Sequence, residues 1–309
     1  MNWLRSIKGF LLSFVFLFVF LYIIAGLQWV FDNSFQNQNE EVFLGSVSNA
    51  IQNVMSGLEI NAQSAISVWI DISRPKGYPD KIFFSKNAQR KLSIASISKL
   101  MTALIVLDNS DLSQQITISD QAVSQSNDPE PLKSGETFYA KDLLYATLVD
   151  SDNASSYALS ESIGTDKFIE LMNEKAKELG LLDTSFLNTT GLGLANFSTA
   201  QDLVKLTEYL LKEHRSIFEI TIMPEFNLYT VDGKILHKFV NTDELLRDSS
   251  NLAKRIVGGK TGKTRTAGEC LLLVVTSVDE QGYLINVILN SNDRFGEIKK
   301  LINAADAVQ

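Results

Sequence analysis

Two side chains three positions apart, Ser96 and Lys99, are the pair in this chain best suited to covalent chemistry. A serine hydroxyl is a weak nucleophile until a neighbouring base takes its proton. A lysine amine serves as that base once burial and nearby cations favour its neutral form. On a helix, positions i and i+3 share a face, about 5–6 Å apart at Cβ, which brings the two groups within reach. A helix N-terminus also places positive potential where an oxyanion would develop. The stretch Ile94–Leu107 is apolar on nearly all faces, so Ser96-Ile-Ser-Lys99 opens a helix expected to be buried. A second copy of the pattern, Ser73-Arg-Pro-Lys76, contains proline and follows a strand, so a surface turn is expected there. Serine and lysine are common, and the pattern alone is weak evidence.

Two further motifs strengthen it. Ser151-Asp-Asn153 follows the helical run Ala140–Leu148, and Lys260-Thr-Gly262 follows Ile256-Val-Gly-Gly, a strand whose glycines let another backbone approach closely. S-x-x-K, S-D-N and K-T-G in that order are the ordered set of the penicillin-recognising serine enzymes. With them come Ile94-Ala-Ser-Ile-Ser-Lys-Leu-Met-Thr102, Gly135-Glu136, Leu143-Leu144, Asn188-Thr-Thr-Gly-Leu192, Ser198-Thr-Ala-Gln-Asp202, Asn241-Thr242, Leu245-Leu246 and Ala267-Gly268. From about residue 64 to 305 the chain resembles the D-alanyl-D-alanine carboxypeptidases of the low-molecular-weight penicillin-binding proteins.

The resemblance implies roles. Ser96 would attack the carbonyl of a penultimate D-alanine and become acylated, with Lys99 as general base. Ser151 would relay a proton to the leaving amine, helped by Lys260, and Asn153 would hold the substrate amide. Thr261, Gly262 and Lys263 would line the substrate, with the backbone N–H groups of Ser96 and Lys263 forming the oxyanion hole. Thr261 and Arg294 would grip the terminal carboxylate. The implied partners are peptidoglycan stem peptides as substrate and β-lactams as inhibitors, with no cofactor and no metal.

These residues need elements to hold them. Ser64–Ile72 reads as a strand, residues 136–180 as helical with Thr165 as N-cap and Gly180 as stop, and Ser198–Lys212 as a further helix. Cys270–Thr276 and Tyr283–Asn290 are apolar runs joined by Asp279-Glu-Gln-Gly282, a hairpin signal, and Glu297–Ala307 closes the chain as a helix. Strands at both ends with helices between predict an α/β protein of the α+β type. Its first strand would join a C-terminal hairpin in an antiparallel sheet, with a helical subdomain inserted at about 116–195. The resemblance implies five strands in that sheet. A substrate peptide could add to the Lys260 strand as an extra strand.

Composition narrows the function. The net charge is −8, and of the charged residues only Arg5, Lys8 and Asp32 precede Glu40, so the body of the chain is acidic and no nucleic-acid partner is expected. The lone cysteine, Cys270, sits in an apolar run and reads as a buried strand thiol. Two histidines, His214 and His237, are too few for a His-rich metal site, and His214 reads as a solvated helix end.

Gly9–Phe31 carries no charge and is long enough to cross a hydrocarbon core of about 30 Å. Arg5 and Lys8 before it place the N-terminus in the cytoplasm and the rest outside. The expected organisation is a single-pass cell-membrane anchor (1–32), a linker and start of the outer domain (33–60), and a serine D,D-peptidase domain (61–309). Many family members instead carry a C-terminal β-domain and a terminal amphipathic helix. Three rivals share the motifs: a D,D-endopeptidase acting on cross-links, a β-lactamase, and a non-catalytic peptidoglycan-binding protein. Thr184-Ser-Phe-Leu-Asn-Thr-Thr-Gly191 holds no glutamate to activate a deacylating water, so slow release of β-lactams is expected.

Overall fold

The computed structural model describes residues 57–73, 80–126, 132–193, 196–233, 235–278 and 281–308. The expected apolar anchor, residues 9–31, and Lys76 lie outside them. Among the described residues no helix is long and apolar enough to cross a membrane.

Five strands form the main sheet: β1 (Ser64–Ile70), β2 (Lys81–Lys86), β3 (Ile256–Thr264), β4 (Gly268–Thr276) and β5 (Tyr283–Ser291). Their order is β2-β1-β5-β4-β3, and every neighbouring pair is antiparallel. The first strand therefore joins the C-terminal hairpin, as the sequence pattern predicts, with Ser64 opposite Leu289 and Ile70 opposite Tyr283. β1 stops at Ile70 because Asp71 starts a turn, accepting from the amide and hydroxyl of Ser73.

Both faces of this sheet are covered, which is why β4 and β5 read as continuous apolar runs rather than alternating ones. Leu272, Val274, Ile285, Val287 and Leu289 join the large core shared with the helices. The alternate residues Leu271, Leu273, Leu284 and Ile288 are buried on the opposite face. There the closing helix, with Ile298, Leu301 and Ile302 buried, packs on β4 and β5.

The chain between β2 and β3 supplies most of the helices. Here α1 (Lys99–Asn109), α2 (Ala140–Val149), α3 (Asn153–Glu161), α4 (Thr165–Glu178) and α5 (Ala200–Glu213) are the main ones, and α6 (Arg294–Asp306) is the closing helix. α1 is buried from Lys99 to Val106 and packs on α2, α3 and α4.

Four expectations change in detail. The buried helix does not begin at Ile94; Ala95–Ser98 is a 3₁₀ turn leading into it. Residues 136–180 are not one helical run: Thr137–Tyr139 is a short strand paired with Gln115–Thr117, and polar breaks separate α2, α3 and α4. Thr165 is the first helical residue and Gly164, at φ 93, is the cap, whereas Gly180, at φ 67, follows the end of α4 as the expected stop. His214 is only 19% exposed at its side chain, with Nε2 3.4 Å from Asp108 Oδ1, so it is less solvated than its polar neighbours indicate.

Where the described chain begins, a buried carboxylate pins it. Glu297 of α6 accepts from the Asn61 and Ala62 amides and from the Ser291 hydroxyl at 2.6 Å.

Candidate active site

Ser96 lies in the 3₁₀ turn and Lys99 is the first residue of α1. Side chains three apart eclipse in a 3₁₀ turn, so this geometry aligns the pair better than an α-helix would. Lys99 Nζ is 2.9 Å from Ser96 Oγ, 2.7 Å from Asn153 Oδ1 and 2.7 Å from the Thr190 carbonyl oxygen. A neutral amine carries two hydrogens and one lone pair. The two carbonyl oxygens can only accept, so they take both hydrogens, and the lone pair is left for the Ser96 hydroxyl proton.

The electrostatics act in the same direction. Lys99 is fully buried, and burial, reinforced by the charge of Lys260, holds its amine well below the ordinary lysine value against the opposing pull of Asp152 and Asp150. Burial likewise brings Lys260 down to about 7, with Arg294 reinforcing and Asp150 and Asp243 opposing.

Two glycines permit the close fit around Ser96. Gly191 has φ 83, and a Cβ there would sit 2.0 Å from the Ala95 carbonyl oxygen. A Cβ on Gly262 would lie 2.9 Å from the Ile94 carbonyl oxygen and 3.1 Å from the Ser96 amide. The loop after Asn188 and strand β3 thus both touch the Ser96 turn, and only glycine allows it.

Ser151 sits in the break between α2 and α3, at φ 69, with Asp152 capping α3 through the Ser155 amide at 2.6 Å. Its hydroxyl is buried and without a protein partner, so it is available to a bound group. Lys260 and Thr261 are buried on β3, with Lys260 Nζ donating to the Thr261 carbonyl at 3.2 Å. Thr261 Oγ1 lies 2.5 Å from Thr242 Oγ1. The exposed Lys263 side chain pairs with Glu269 at 2.7 Å. Arg294, at the start of α6, donates to the Gly262 carbonyl at 3.1 Å, and its Nε is buried without a partner. It is therefore a residue of this cleft and not a free surface arginine.

Three contributors escaped the sequence reading. The Thr190 carbonyl holds Lys99, but a backbone oxygen leaves no residue-type signal. Asp150 and Asp243 moderate the lysines; both sit beside recognisable motifs, and only their charge could have marked them.

A profile of the D-alanyl-D-alanine carboxypeptidase family matches residues 51–293. The chain belongs to this family. Among curated members, D-alanyl-D-alanine carboxypeptidase DacF of Bacillus subtilis is 34% identical over 201 residues, 62% of this chain and 50% of that protein. The D-alanyl-D-alanine endopeptidase of Pseudomonas aeruginosa is 33% identical over 208 residues, 63% of each chain. The chain thus spans between half and two thirds of the length of these family members. A penicillin-binding protein of Listeria monocytogenes, solved in its ampicillin-bound form, superposes with a TM-score of 0.64 at 27% identity, covering 80% of this chain and 98% of that one. The antiparallel sheet flanked by helices is therefore the family's fold, and Cys270, fully buried on β4 with its thiol pushed up to about 11, is a packing residue within it.

Proposed function

We propose that this chain is a serine-type D-Ala-D-Ala carboxypeptidase that removes the terminal D-alanine of peptidoglycan stem peptides and is acylated by β-lactams. One observation carries the reading: a fully buried lysine amine 2.7 Å from two carbonyl oxygens, which take both its hydrogens in the neutral form, and 2.9 Å from the Ser96 hydroxyl.

Ser96 Oγ adds to the carbonyl carbon of the penultimate D-alanine as its proton passes to Lys99 Nζ. The charge on the carbonyl oxygen falls to the Ser96 and Lys263 backbone amides, where losing one donor typically costs ~10²–10³ in rate. The C–N bond then breaks as the proton held by Lys99 passes through the Ser151 hydroxyl, beside Lys260, to the leaving amine, so that Lys99 is neutral again and an ester remains on Ser96. Water adds to that ester, its proton going to Lys99, and Ser96 departs with a proton. Asn153 holds the substrate amide, while Thr261 and Arg294 bind the terminal carboxylate beside Gly262. No carboxylate in Thr184–Gly191 activates water, so β-lactam adducts should persist. Residues 9–31 would anchor the enzyme as a single-pass protein with its catalytic domain outside the cytoplasm, on the strength of their length and the flanking Arg5 and Lys8.

Fluorescent penicillin should label the wild type and not Ser96→Ala; label persisting on the variant would sink the assignment. The Pseudomonas aeruginosa relative, named as an endopeptidase, supports a second reading in which cross-links are cut by the same machinery. Mass spectrometry of wall fragments after digestion separates the two: loss of a terminal alanine marks the first, and conversion of dimers to monomers marks the second.

A further inference from the structure

Thr242 bridges strand β3 and the end of α2, which leads into Asp150–Asp152. The Thr242 amide donates to the Val149 carbonyl at 3.3 Å, at the last residue of α2 before Asp150, and its hydroxyl lies 2.5 Å from the Thr261 hydroxyl on β3.

Thr242 is itself held tightly. Its neighbour Asn241 is buried, donating to the Thr221 and Met223 carbonyls at 2.8 and 2.9 Å and accepting from the Asp243 amide at 2.8 Å. Thr221 Oγ1 in turn accepts from the Gly259 amide of β3 at 3.1 Å. Hydrogen bonds therefore close a ring from Gly259 through Thr221, Asn241 and Thr242 back to Thr261 on the same strand.

A threonine hydroxyl has one hydrogen, so in a hydroxyl pair one group donates and the other accepts. A carboxylate can only accept. When Thr242 donates to Thr261, the Thr261 hydrogen is released toward the cleft, and the chain Thr242 to Thr261 to carboxylate is polarised in one direction. We propose that Thr242 is a positioning residue for recognition of the substrate's terminal carboxylate, acting by fixing the Thr261 hydroxyl as a donor. The inference rests on the peptidase reading above and adds a residue whose role the motifs do not specify. Thr242 is only partly buried, so its side chain can be changed without opening the core.

The test uses the full chain in detergent, with acylation by benzylpenicillin and by its methyl ester followed by intact-protein mass spectrometry. Thr242→Val keeps the branched shape and removes the hydroxyl; Thr242→Ser keeps the hydroxyl. The expected result is about a tenfold loss of the second-order acylation constant with benzylpenicillin for Thr242→Val, in line with the loss of one charge-directed hydrogen bond. The ester should react with the variant and the wild type within about twofold, and Thr242→Ser should recover most of the loss. Equal losses on both compounds would show a merely structural role and overturn the inference, as would an unchanged constant for benzylpenicillin. A wild type that neither compound labels would refute the peptidase reading itself. A labelled wild type with an unmoved Thr242→Val refutes this inference alone.

Discussion

Replacing Lys99 by methionine should separate acylation from folding. The amine is fully buried and bonded to two carbonyl oxygens, so the variant leaves the Asn153 oxygen without a donor and the Thr190 oxygen with only the Ser96 hydroxyl, 3.5 Å away. An orphaned buried acceptor costs about 1–3 kcal/mol. Against this, the thioether needs no desolvation and packs as an apolar chain of similar length, an exchange that cores tolerate well. The net loss should be about 1–3 kcal/mol, which a domain of this size registers as a fall in Tm of about 2–4 °C per kcal/mol while remaining folded. Acylation loses its base entirely, and general-base catalysis contributes ~10²–10⁴. A time course of fluorescent penicillin labelling beside a thermal melt measures both quantities on one sample. Labelling within tenfold of wild type, with the melt intact, would mean the Ser96 proton goes elsewhere and would refute the neutral-amine argument.

The remaining expectations follow from the same geometry. Lys99 works only when neutral, so acylation should fall as pH drops through its lowered value; Asp150→Asn removes a charge that raises that value, so its acid limb should lie at lower pH. Lys260 binds a proton less readily in the folded state, at about 7, than in the unfolded chain, at 10.5. The unfolded state therefore holds more protons between those limits, stability rises with pH across them, and Lys260→Met should flatten the Tm-against-pH slope there; a slope unchanged in the variant would count against the burial argument. Gly191→Ala should unfold the Ser96 turn or displace it, because φ 83 and a Cβ 2.0 Å from the Ala95 oxygen leave no room, and wild-type labelling with an unshifted melt would contradict that. Glu297→Ala should cost about 3–5 kcal/mol by orphaning the Asn61 and Ala62 amides and the Ser291 hydroxyl, read as a lowered Tm in the full chain.

Much of the site was legible because side-chain identity carries it. The Ser96 and Lys99 pair can be argued from type and spacing, Asn153 and Thr261 were marked by motifs whose roles the resemblance implies, and the structure puts Ser96, Lys99 and Asn153 in direct contact. Sheet topology was legible because β4 and β5 are largely apolar and separated by a polar turn. The break at Ser151 was not, since Asp150–Asn153 lies inside a long helical pattern and serine is not a residue type that marks a positive φ. Arg294 could not be placed from sequence because its partner is a backbone oxygen of β3 brought near only by the packing of α6. The same reason hid Thr190. Backbone groups do their work without leaving a residue-type trace.

The charges in the cleft imply that carboxylate recognition and base activation are coupled. Lys99, Lys260 and Arg294 crowd one region, with Asp150, Asp152 and Asp243 opposing them. At neutral pH burial leaves Lys260 near its midpoint, and its charge is the largest ionic influence keeping Lys99 neutral. On the proposed reading, a substrate carboxylate bound at Thr261 and Arg294 would add negative charge beside Lys260 and so stabilise its protonated form. Because the Lys260 charge holds the Lys99 amine down, favouring protonated Lys260 favours the neutral base. A peptide ending in a free carboxylate would then favour the neutral Lys99 that takes the proton of the attacking Ser96. A peptide amide of the same sequence should lose turnover as well as affinity, with kcat falling alongside a raised KM; a change confined to KM would show that the two lysines titrate independently.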